Sequence, residues 1–177
     1  MNLLWDRVES PIGDILIVSD GKNLCGVEFE GNERRLEEGL RKRFGEVNLR
    51  PVSDPQGFSS SMRAYFAGEV HAFDKIPTLA GGTEFQRRVW NALREIQWGR
   101  TRSSGEIARQ IGEPGASRAV GLANASNPIP IVLPCHRVIG ADASLTGYGG
   151  GLKRKQWLLE HEGALLKFRG SSQAVAG

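Results

Sequence analysis

Three prolines, Pro128, Pro130 and Pro134, frame a short apolar run, Ile131-Val132-Leu133, and the stretch stops abruptly in Cys135-His136-Arg137. A proline cannot donate to a ladder, so a sheet accepts such a segment only as an edge or a short strand. The β-branched run itself suits a buried strand, and the reading is a strand that ends at the cysteine. A thiol attacks only as thiolate, and its free pKa of about 8.5 falls when a histidine or another positive group lies close. Neighbouring side chains alternate along a strand, so Cys135 and His136 cooperate only if the chain turns there or a water bridges them. Both options stay open at this level. An isolated Cys-His pair reads equally as a small buried cysteine beside a surface His-Arg pair, so its context decides.

At 177 residues the chain can bury a core, as one larger domain or two small ones, and two are expected. There is no apolar run of about 18 residues and no basic-then-apolar leader pattern, which predicts a soluble cytoplasmic protein without membrane contact. Cys25 and Cys135 lie far apart without metal-ligand spacing, as in a reducing compartment rather than a disulfide framework. The net charge of +3 is unevenly spread: residues 1–82 carry 10 Lys/Arg against 13 Asp/Glu, whereas residues 83–163 carry 11 against 7. The half containing Cys135 is thus the basic one, as a nucleic-acid-facing domain would be.

In chain order, residues 3–8, 15–18 and 24–29 read as an antiparallel meander separated by well-marked turns. Leu36, Leu40 and Phe44 give an amphipathic helix from Asn32 to Phe44 with Gly45 as its stop, and a loop through Pro51 and Pro55 leads to a helix over 58–66. The glycine-rich joint at 78–82 separates an N-terminal domain, 1–80, from a C-terminal one, 81–166. Thr83 with Gln86, and Ser103 with Glu106, form capping boxes for two helices. A further helix over 116–125 follows Pro114, so the pair reads as a helix-turn-helix, with the later strand and loop as a wing. That helix is rich in alanine and glycine, which permit close backbone approach to a groove but supply few base contacts, so binding is expected to be sequence-independent. The loop 147–151 lacks the Lys-Ser/Thr of a P-loop, which disfavours nucleotide hydrolysis. The last helix covers 152–161 and stops at Gly163, and the small polar residues 167–177 are expected to be disordered.

The run NPIPIVLPCHRVIG, with TGYGGGLKRKQWLLEHEG after it and TEFQ, GEIA and RAVG before it, closely resembles the O6-alkylguanine-DNA alkyltransferases, the methylated-DNA–protein-cysteine methyltransferases. The match covers most of the chain. The resemblance implies an α+β protein: a ribonuclease-H-like sheet-and-helix domain without chemistry, then a winged-helix domain that repairs DNA. It implies a monomer that binds double-stranded DNA through the minor groove and flips out O6-alkylguanine, with O4-alkylthymine as a second candidate lesion. The alkyl group passes irreversibly to Cys135, with no cofactor.

The roles implied for single residues follow the same motifs. Glu162 orients His136, which takes the Cys135 proton through a water, and the His-Glu bond favours the protonated imidazole. Asn127 supports the turn around the active site. Tyr148 donates to guanine O6, Gly149 offers its amide, the backbone at Cys135 and Val138 accepts from the exocyclic amine, and Lys155 orients Tyr148. Arg118 fills the gap left by the flipped base, on a helix whose Ala116, Ser117, Ala119 and Gly121 face the DNA. A zinc site like that of some relatives is not expected, because Cys25 and His71 are too few as ligands.

The chain departs from the family at one position that matters. A tyrosine usually stands where Ser104 does, assisting base flipping and donating to guanine N3. A serine is too short for that, although its hydroxyl could cap the helix. The expectation is retained transfer with slower flipping or a roomier pocket. Two other classes stay in view: a catalytically impaired relative that binds alkylated DNA and recruits other repair factors, and a multiple-turnover thiol hydrolase.

Overall fold

The computed structural model describes residues 1–140 and 147–164. The calls on residues 165–166 and on the tail 167–177 therefore lie outside the described residues. The chain divides into two compact units, Met1–Gly82 and Thr83–Gly177.

The first unit is a four-stranded sheet with two helices. Strands β1 (Asn2–Val8), β2 (Ile15–Ser19) and β3 (Leu24–Phe29) form the antiparallel meander, and β4 (Asn48–Pro51) adds to β1 in parallel, giving the order β3-β2-β1-β4. The sequence reading made this last segment part of a loop. Pro51 is tolerated because β4 is an edge strand with no further neighbour to receive an N–H. Helix α1 (Glu33–Phe44) lays Leu36, Leu40 and Phe44 toward Leu3 and Val18. Helix α2 (Phe58–Phe66) buries Phe58, Met62 and Tyr65. Beyond it, residues 77–79 are tied to β3, with Leu24 N donating to Pro77 O at 2.9 Å and Leu79 N to Leu24 O at 2.9 Å.

The second unit is mainly helical. Helix α3 (Glu84–Arg94) opens with a capping box in which Thr83 and Gln86 satisfy each other's backbone N–H groups, and it buries Val89, Trp90 and Leu93. Ser103 and Glu106 form the same device at α4 (Ser104–Gln110). Helix α5 (Ser117–Ala125) packs on both: Trp90 Nε1 donates to Ala123 O at 2.8 Å, and a Cβ on Gly105 would stand 3.2 Å from Ser117 Oγ. That near approach explains why α4 carries a glycine where it crosses α5. A parallel pair of two-residue strands, β5 (Arg102–Ser103) and β6 (Val138–Ile139), joins the start of α4 to the segment after the cysteine. Helix α6 (Leu152–His161) follows, ending at Glu162 and the left-handed Gly163. Among the described residues, no helix is long and apolar enough to cross a membrane.

Candidate active site

The run before Cys135 is not a strand. Residues 131–133 form a buried turn, and Ile131 has φ of 74°, unusual for a β-branched residue. Pro128, Pro130 and Pro134 take three N–H donors out of any ladder, and Asn127 supplies the bonds a ladder would have made. Its Oδ1 accepts from Ile129 N at 2.9 Å and its Nδ2 donates to Leu133 O at 2.7 Å, while Leu133 N donates to Ile129 O at 2.9 Å. Backbone strain of about 1–3 kcal/mol at such a residue persists only where the surroundings over-determine it. Here the asparagine brackets the turn from both ends.

Cys135–Arg137 is a single 3-10 turn, closed by Arg137 N donating to Pro134 O at 2.9 Å. The chain turns at the cysteine, which is compatible with both routes left open by the sequence. All three side chains go inward, with Cys135 at 5% exposure, His136 at 0% and Arg137 at 9%. The surface His-Arg pair of the plainer reading is therefore absent.

His136 and Arg137 converge on Glu162. Nε2 of His136 lies 2.8 Å from Glu162 Oε2, and Arg137 reaches Oε1 through Nε at 2.8 Å and Oε2 through Nη2 at 3.0 Å. Arg137 also donates to Ile96 O, which satisfies a further guanidinium N–H. Burial opposes the Glu162 charge, but the His136 hydrogen bond and the Arg137 guanidinium outweigh it and hold the carboxyl well below its usual range. Burial pushes His136 below its ordinary value; the Glu162 carboxylate opposes this, and Arg137 and Lys155 add to it. The Glu162 bond favours the charged imidazole, as expected, but burial of the ring outweighs it. An ionised Glu162 accepts the Nε2 proton and leaves Nδ1 as the acceptor of a neutral ring. Nδ1 is buried and has no hydrogen-bond partner among the described residues.

Lys155, fully buried on α6, donates through Nζ to Val138 O at 2.5 Å. Burial pushes its ammonium down to about 8, and Cys135 opposes the shift. The bond that anchors Lys155 therefore runs to the backbone of β6, on one of the two carbonyls expected to receive the base.

A cavity of about 560 Å³ brings together Ser104, Gly121, Asn124, Val138, Tyr148 and Gly149, with Ser117 on its wall. Ser104 faces it because Ser103, one residue earlier, is the helix cap, so the capping role considered for Ser104 is already filled. Cys135 is not among the described lining residues; Asn124, which is, donates to its carbonyl at 3.3 Å. On α5, Ser117, Arg118 and Ala119 are exposed, Ala116 is half-buried, and Leu122 stands 69% exposed. The sequence reading missed Arg137 and Asn124. Arg137 adjoins the cysteine, but its partners lie 25 and 41 residues away, and no local pattern announces them. Asn124 was hidden in an alanine-rich helix.

Residues 3–80 match the model of the 6-O-methylguanine DNA methyltransferase ribonuclease-like domain, and residues 84–164 that of the 6-O-methylguanine DNA methyltransferase DNA binding domain. The methylated-DNA–protein-cysteine methyltransferase of Shigella flexneri is 45% identical over 169 residues, covering 94% of this chain and 99% of the relative. Its counterpart in Mycobacterium tuberculosis strain H37Rv is 50% identical over 161 residues, 89% and 91% of the two chains. The crystal structure of the Mycobacterium tuberculosis OGT in complex with DNA superposes with a TM-score of 0.78 at 44% identity, covering 91% of this chain and 93% of that one. Matched in both halves by family models and over nearly its whole length by these relatives, the chain belongs to the 6-O-methylguanine DNA methyltransferase family.

Proposed function

We propose that the protein repairs DNA by direct reversal, moving the alkyl group of O6-alkylguanine in duplex DNA onto Cys135. The observation that carries this reading is the Cys135-His136-Arg137 turn, whose neutral imidazole is fixed by Glu162 at 2.8 Å with its Nδ1 left as an acceptor. His136 takes the thiol proton through a water, and the thiolate attacks the alkyl carbon. The S–C bond forms, the C–O6 bond breaks, and its electron pair goes to O6. A donor there stabilises charge that appears only in the transition state, and Tyr148, which lines the cavity, takes that role. Gly149 adds its amide, and the carbonyls of Cys135 and Val138 accept from the exocyclic amine. Asn127 keeps the turn in register.

The base must leave the stack, at a cost of a few kcal/mol. Arg118 offsets this by entering the gap from the minor groove. Ala116, Ser117, Ala119 and Gly121 give α5 a small-residue surface that lets it approach the backbone whatever the sequence. The product is a thioether on the protein, so each chain acts once, as a monomer in the cytoplasm. No cofactor takes part.

Intact-protein and peptide mass spectrometry after incubation with a duplex carrying one O6-methylguanine tests the reading, with Cys135→Ala beside it. One added methyl, confined to the Cys135 peptide and absent from the variant, is the expected result. Tight binding without mass gain would instead place the chain with damage-recognition relatives, and repeated turnover would make it a hydrolase.

A further inference from the structure

Outside the cavity that holds Ser104 and Tyr148, the second unit has an open cleft of about 430 Å³, lined by Arg102 of β5 and by Glu106, Arg109 and Gln110 of α4. Its two neutral or acidic side chains are already engaged: Gln110 donates to Glu95, and Oε1 of Glu106 accepts from Ser103 N at 3.0 Å in the capping box. The two cations are not. Arg102 and Arg109 are exposed, and neither has a hydrogen bond or ion pair among the described residues. Glu106, three residues earlier on the same helix, is the partner a surface arginine would ordinarily take, and Arg109 does not pair with it. Its guanidinium reaches instead to the crossing of α4 and α5. There Arg109 Nη1 is 3.8 Å, and Ser117 Oγ 3.2 Å, from the point that a Cβ on Gly105 would occupy. Gly105 and Ser117 also line the cavity of Ser104 and Tyr148, so Arg109 stands where the two openings meet.

Resting on the functional reading above, we infer that Arg102 and Arg109 form a second contact surface for the same duplex, binding backbone phosphates that flank the lesion nucleotide. A guanidinium offers a planar fork of N–H donors that matches phosphate oxygens, and one without a carboxylate partner has no pair to break before it binds. Continuity with Gly105 and Ser117 makes the partner the strand that already lies on α5. Phosphate contacts position a protein on DNA without reading its sequence, so this surface loads the chain onto damaged and undamaged duplex alike. Both arginines lie outside the cavity that takes the base. Their effect falls on encounter and register, and the transfer step is left to Cys135 and its partners.

The test measures the affinity of the full chain for an undamaged duplex over a range of salt concentrations, and single-turnover methyl transfer from an O6-methylguanine duplex at saturating DNA. Each neutralised phosphate contributes about 0.9 to the slope of log affinity against log salt. The double variant Arg102→Gln, Arg109→Gln should therefore lose about 1.8 of that slope, so that from about 50 to about 200 mM salt the parent's affinity falls about tenfold more than the variant's. Transfer at saturating DNA should keep the parent's rate, and Arg109→Lys, which retains the charge, should keep the slope that Arg109→Gln loses. Partial unfolding would lower the active fraction and leave the slope unchanged. Duplexes with one uncharged methylphosphonate linkage, moved stepwise along each strand, locate the contact: linkages near the lesion that weaken the parent should leave the double variant unaffected. An unchanged slope in the double variant, or methylphosphonate losses equal in parent and variant at every linkage, would overturn the inference. So would a fall in saturated transfer as large as the fall in affinity. A parent chain that binds DNA yet takes no methyl would overturn the repair reading, an outcome distinct from these.

Discussion

Arg137 holds Glu162 at two points, Nε to Oε1 at 2.8 Å and Nη2 to Oε2 at 3.0 Å, inside a pocket that leaves the carboxylate no access to water. Because the same carboxylate fixes the His136 ring, structure and chemistry depend on one charge. Removing one partner of a buried pair leaves the other uncompensated, at about 3–5 kcal/mol. Arg137→Met should therefore lower unfolding stability in urea by that amount, while Glu162→Gln, which keeps the volume and an acceptor, should cost less stability and slow transfer more. Equal stability losses in the two variants would contradict this division.

The pH dependence of stability has a second rise on the alkaline side. Lys155 releases its proton at about 8 in the folded chain, whereas an unfolded lysine does so near ~10.4. Between those values the unfolded state holds more protons, so stability increases with pH across the window. Below about 8 both states are charged and the contribution is flat. On the acid side Glu162 and His136 act in the same direction: their folded values lie below the unfolded ones, so stability falls as pH drops under about 6.5 and further under about 4.3. Urea denaturation at pH 7.5 and 9.5 should show the alkaline gain, on the order of 2 kcal/mol, and Lys155→Met should abolish it.

Ser104 leaves part of the cavity open where its relatives are expected to place a ring. Ser104→Tyr should speed transfer from O6-methylguanine several-fold and slow it for bulky adducts such as benzyl. The helix should be unaffected, since Ser103 holds the cap. Unchanged rates with both lesions would remove any role for this position.

Arg118 is exposed on α5, so its loss should move stability by no more than about 0.5 kcal/mol. If it fills the stack behind the everted base, Arg118→Ala should slow transfer from duplex DNA about ten- to a hundredfold, in line with an unstacking cost of a few kcal/mol. The thermal melt of the variant and its reaction with free O6-methylguanine base, which needs no flipping, should match the parent.

What the sequence made legible was local or motif-bound. The capping boxes at Thr83 and Ser103 need only residues three apart, and the chain stops at Gly45 and Gly163 follow from backbone freedom alone. Cys135, His136 and Glu162 could be named from the motif, but their geometry could not. Ile131-Val132-Leu133 was read as a strand because β-propensity measures fit to a pleated surface, and nothing local says that Asn127 will fold the segment into a turn instead. The net protonation of His136 was illegible for a related reason: the Glu162 bond that favours the charged ring is outweighed by burial, which only the packed fold supplies.

The 3-10 turn at Cys135–Arg137 is held by bonds to Ile96, Asn124 and Glu162, and Val138 after it by Lys155, so its anchors come from the segment after α3, from α5 and from α6 with its cap. No small opening can release the cysteine while sparing the rest. Amide exchange at residues 135–138 should then proceed only through global unfolding of that unit, and the reactive thiol is kept from stray electrophiles by the cooperativity of the fold, for as long as the fold stands.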